Sequence, residues 1–102
     1  MRQSRLKNYV IIYKGNDRFL YGRIYGDFRF PNGHMVLTTK VIDLNEDETI
    51  AITENQTEYK LENRLTYEEF VRRVKEEYVD TKYISFILSP LGVYAENKEK
   101  NA

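Results

Sequence analysis

The sequence predicts an α+β domain: a five- to six-stranded antiparallel meander sheet, able to curl toward a small barrel, with one α-helix at about residues 66–80 packed on it. Three observations carry this. Short β-branched and aromatic runs separated by turn residues fill positions 8–62, a helical pattern with a complete start signal begins at Thr66, and a last apolar run ends at Ser89-Pro90.

Asn8 to Lys14 (NYVIIYK) is β-branched and aromatic, and Gly15-Asn16-Asp17 ends it. Arg18 to Phe30 alternates, placing Leu20, Ile24, Phe28 and Phe30 on one face with Gly22 and Gly26, and Phe19, Tyr21, Arg23, Tyr25 and Asp27 on the other. The first row reads as core, and glycines on it mark a bend, a bulge or a close backbone approach. Pro31 stops that ladder and Asn32-Gly33 predicts a tight hairpin, so a third strand runs from His34 to Leu44. Beyond the acidic turn Asn45-Glu46-Asp47-Glu48, Thr49 to Thr53 and Thr57 to Leu61 form another hairpin around Glu54-Asn55-Gln56. Connections this short make neighbouring strands antiparallel.

Thr66 with Glu69 three residues later gives a reciprocal capping box, and Leu65 with Phe70 gives a hydrophobic staple. Tyr67, Phe70, Val71, Val74 and Tyr78 then form an apolar stripe, opposite a charged side where Glu68 and Arg72, and Glu69 and Arg73, are spaced to pair. Tyr83 to Leu88 (YISFIL) reads as a final strand. Residues 1–94 make one domain, and the polar tail 95–102 is expected to fray.

With 102 residues the chain has room for one core. It has no cysteine, which removes disulfides and thiolate chemistry, and its apolar runs are too short to span a bilayer. A cytoplasmic protein with no membrane contact is expected. Net charge is zero, yet residues 1–40 hold eight Lys or Arg against two Asp, and residues 41–102 hold eight against fourteen Asp or Glu. If that surplus of six charges of each sign is segregated in space, it favours steered binding of a charged partner, or a homodimer through complementary faces.

No catalytic residues, metal ligands or cofactor are predicted. His34 is the one side chain titrating near neutrality unaided, and a hairpin closing at Asn32-Gly33 places Asp27 several residues along the ladder from it, too far for a dyad. The glycines match neither a P-loop nor GxGxxG, and the acidic turn lacks the oxygens of an EF-hand. The enzyme class left over is a metal-free ribonuclease using scattered Arg, Tyr and His.

Binding is the preferred reading, with a protein as partner. Tyr9, Tyr13, Arg18, Tyr21, Arg23 and Tyr25 form the candidate aromatic and basic face, and Asp43, Glu46, Asp47 and Glu48 the candidate acidic turn. The same Tyr and Arg row supports an alternative, stacking and neutralising a single-stranded nucleic acid. Residues 32–63, NGHMVLTTKVIDLNEDETIAITENQTEYKLEN, resemble small accessory proteins of bacteriophages and other mobile elements, which have a V-x-T-T/S-x-V strand and a hairpin ending in Y-x-L. The resemblance implies a host-directed binding protein, for instance an inhibitor of a defence complex of the anti-CRISPR kind.

Overall fold

The structure is a computed structural model that describes residues 3–78 and 81–90, with Gln3 and Thr81 described by backbone alone. Six strands, β1 (Gln3–Lys14), β2 (Asp17–Tyr25), β3 (His34–Leu37), β4 (Val41–Leu44), β5 (Ile50–Thr53) and β6 (Glu58–Arg64), precede two helices, α1 (Tyr67–Glu77) and α2 (Thr81–Leu88). The expected tail at 95–102 lies outside the described residues.

Across the sheet the order is β3-β2-β1-β6-β5-β4. Four pairings are antiparallel, but β1 lies parallel to β6, with Leu6 beside Leu61. The sheet is therefore mixed, which corrects the purely antiparallel meander. Parity is the reason. The stretch 34–44, expected as one strand, breaks at residues 38–40, so that its first half, β3, pairs with β2 and its second half, β4, pairs with β5. The chain thus makes five passes that alternate in direction; the first and fifth run the same way, and curling the sheet brings them together in parallel. No ladder joins β3 to β4 among the described residues, so the curl is not closed into a barrel. The bend is tied on both sides: the Thr38 amide donates to the Leu20 carbonyl at 2.8 Å, and the Glu54 amide donates to the Lys40 carbonyl at 2.9 Å.

One kink decides which side chains face inward. Lys7 stands opposite Arg23 and Val10 opposite Tyr21, so β1 carries one residue more than β2 between these pairs. Asn8 takes a left-handed φ of 51° to make this bulge, and Asn63 on β6, φ 59°, donates its amide to the Asn8 side chain at 2.5 Å. On β2 the kink meets Gly22, where an added Cβ would lie 2.8 Å from the Tyr9 Cβ and 2.9 Å from its Cα, so no larger residue fits without moving backbone. Beyond the bulge the alternation of β1 is offset by one. Leu6, Tyr9 and Ile11 point into the curl with Leu20, Ile24, Tyr59 and Leu61, while Val10, Ile12 and Tyr21 point outward beneath the helices.

The capping box forms as expected: the Glu69 amide donates to Thr66 Oγ1 and the Thr66 amide to Glu69 Oε1, both at 3.2 Å. The helix ends at Glu77, earlier than the expected 80, with Tyr78 extended. Phe70 and Val74 are buried on the outer sheet face, with Leu65 just before them. Residues 83–88 are helical, not a sixth meander strand. A short apolar run fits a strand or a buried helix equally, and here the outward-facing row Val10, Ile12 and Tyr21 needs a cover that Ile84, Ile87 and Leu88 supply at helical spacing.

The β2–β3 connection also differs from a tight hairpin. It spans 26–33, Ile24 pairs with His34, and Gly26 turns the chain with φ 72°. Alternation stops there, so Phe28, expected in the core, is 78% exposed, and Asp27 is buried in its place.

Candidate functional site

The six residues of the expected aromatic and basic face do not share one surface, because the Asn8 bulge reverses the parity of β1. Tyr9 is buried inside the curl and Tyr13 packs at its rim, opposite Arg18 in register. Tyr21 faces the other way and is covered by α1, its ring 5.5 Å from that of Phe70. Burial, and secondarily Tyr78, pushes its phenol up to about 12. Arg23 lies at the edge of the same helix, where it donates to Glu77 and, at 2.8 Å, to the Gly33 carbonyl. Tyr25 is half-buried on the outer face beyond the helices, with the Arg5 guanidinium 5.9 Å and the Lys7 ammonium 5.2 Å from its ring centre.

The acidic turn is brought together at the opposite margin of the sheet. Asp43, Glu46 and Asp47 are exposed; Glu48 bonds Arg64 at 2.9 Å. Asn45 shapes the turn by accepting from the amides of Thr49 and Ile50 at 2.8 and 2.9 Å. The strand order also places the basic segment of the chain, β1 to β3, on one side of the sheet and the acidic β4 to β6 on the other.

His34 and Asp27 form no dyad. His34 stacks on Phe30, ring centres 5.6 Å apart. Asp27, 4% exposed, accepts from Ser4 Oγ at 2.7 Å, from the Arg29 amide at 2.9 Å and from both arms of its guanidinium at 3.0 and 2.8 Å. These bonds, with Arg29 foremost, outweigh burial and hold its carboxyl well below the usual carboxylate range. Among the described residues no group of three or more His, Asp or Glu is disposed to hold a metal ion, and no helix is long and apolar enough to cross a membrane.

The surface that sequence reasoning missed lies between the edge strand β3 and α2. It is a groove of about 590 Å3, with Tyr21, Met35 and Leu37 on the sheet side and Tyr83, Phe86 and Ile87 on the helix side. Leu37 is 49%, Tyr83 61% and Phe86 78% exposed. Of the residues lining it, His34 alone has a titratable group other than tyrosine. Thr38 bonds Leu20, so ladder alternation directs the amides and carbonyls of Met35 and Leu37 away from β2, to the edge left unpaired among the described residues. One signal was available: Tyr83-Ile84-Ser85-Phe86-Ile87-Leu88 is too apolar to hide on one side of a helix.

No protein family, curated protein or solved structure matches the chain.

Proposed function

We propose that the protein is a binding module without chemistry of its own, and that it docks an extended, uncharged apolar segment of another protein in the β3–α2 groove. The observation that carries this is the exposure of Leu37, Tyr83 and Phe86 beside a strand edge that no other strand pairs among the described residues. An edge offers backbone donors and acceptors to an added strand, and apolar walls read every second side chain. A lining without Asp, Glu, Lys or Arg matches an occupant that brings no charge into the groove. The resemblance of residues 32–63 to bacteriophage accessory proteins suggests the class of partner, a host protein such as a member of a defence complex. The acidic turn, away from the groove, would steer the approach.

The test is a displayed library of extended peptides selected on the native protein. Peptides with apolar residues at alternate positions should be enriched. They should bind at least about tenfold more weakly to Phe86→Glu, which loses an apolar wall, and to Leu37→Pro, which loses an outward amide, than to Leu37→Ala. Enriched peptides without that alternation, or binding indifferent to Phe86→Glu and Leu37→Pro, would remove the groove from consideration.

A further inference from the structure

The part of the outer sheet face that the helices leave open is basic and carries one aromatic ring. The register sets two rows across it: Lys60, Arg5 and Tyr25 in one, Glu62, Lys7 and Arg23 in the next. Neither Arg5, Lys7 nor Tyr25 belongs to the cluster beneath α1 and α2, which begins past the Asn8 bulge at Val10. Arg5 and Lys60 are exposed, and Lys7 is half-exposed with its ammonium 4.0 Å from Glu62. The basic surface continues onto α1, where Arg72 and Arg73 border a hollow of about 390 Å3 shared with Arg23. Glu76 and Glu77 border the same hollow; Glu77 holds Arg23 and Glu62 faces Lys7, so the positive groups outside these two pairs are Arg5, Lys60, Arg72 and Arg73, the last two within the field of Glu69.

From this arrangement we infer that the Arg5–Lys7–Tyr25–Lys60 face binds single-stranded nucleic acid, with the phosphates along the basic rows and a base stacked at Tyr25. The ligand class follows from two requirements. A row of cations attracts a polyanion, and a ring standing among those cations, both within cation–π range of it, adds a surface on which an unpaired base stacks. A duplex keeps its bases stacked inside and makes no use of the ring. The Tyr25 hydroxyl lies near Gly33, whose carbonyl accepts from Arg23 on the same face of β2.

None of Arg5, Lys7, Tyr25 and Lys60 lines the β3–α2 groove, so the two readings fail independently. The experiment is fluorescence anisotropy of labelled oligouridylate and oligodeoxythymidylate of about 12 nucleotides, with a duplex of the same length as comparison. Both single strands should bind in preference to the duplex; the ratio between them tells whether the 2′-hydroxyl is used. The double variant Arg5→Gln/Lys7→Gln should weaken binding about tenfold and lower the salt slope by about 1.4, the value for two phosphate contacts on a single strand. Tyr25→Leu should weaken binding about tenfold with the slope unchanged. Phe86→Glu should leave binding as it was, and circular dichroism would show each variant folded. Absence of saturable binding, equal affinity for the duplex, or indifference to Tyr25→Leu in a folded variant would each overturn the inference. Loss of oligonucleotide binding in Phe86→Glu would overturn it too, by moving the ligand to the groove.

Discussion

Asp27 is a single side chain on which the whole 26–33 connection turns. Its four hydrogen bonds tie the first turn of that connection to Ser4 on β1 and fold Arg29 back over Phe30, whose ring lies 5.4 Å from the guanidinium. Asp27→Asn keeps the shape but removes the charge that Arg29 was paired with, and should cost about 2 kcal/mol, the low end for a pair whose cation is partly exposed. The pH dependence has a definite sign. The folded carboxyl titrates below its unfolded counterpart, so its stabilisation is complete above the unfolded value of about 4 and is lost as pH falls through the folded one. Urea midpoints should therefore separate native protein from Asp27→Asn at neutral pH and converge on acidification. At this scale the sequence was legible only in part: an aspartate two residues after Tyr25 looked like the next outward position of a strand, and Gly26 marked a bend without showing that the alternation would end at it.

Among the elements, α1 was the most legible because its signals are local. The box, the staple and the apolar stripe all lie within fourteen residues, from Leu65 to Tyr78, and each acts on a neighbour in sequence. Thr66→Ala should destabilise the protein by about 1 kcal/mol, and adding Glu69→Ala should cost less than its separate effect, since the two bonds form one reciprocal motif; a double-mutant cycle by thermal unfolding would measure the shortfall. The second helix was illegible for the opposite reason. Nothing within YISFIL chooses between strand and helix, and the choice falls to the apolar row of β1 and β2 that needs covering. The groove inherits this obscurity, because it exists only once Leu37 on a strand edge and Phe86 on that helix stand side by side. The acidic turn, by contrast, could be read directly as exposed from its run of carboxylates and its Asn45 start.

For the molecule as a whole, pairing order follows from topology. β1 and β2 are joined by a two-residue turn, whereas β1 meets β6 across all the intervening strands of the sequence, as Gln3 beside Glu58 shows. Contacts of such sequence separation form late, since the loop must be closed before they repay its entropy. Leu61→Ala, at the buried β1–β6 contact, should accordingly speed unfolding and leave the folding rate within about twofold, while Leu20→Ala on β2 should slow folding; stopped-flow chevrons separate the two. The number of passes was legible from turns and alternation, but the parallel pair was not, because it depends on curling that no local segment encodes. The same parity sets a timetable during synthesis. Gln3 is synthesised before its neighbour Glu58, which follows roughly 3–11 s later at ~5–20 residues per second, so β1 waits that long with one flank bare.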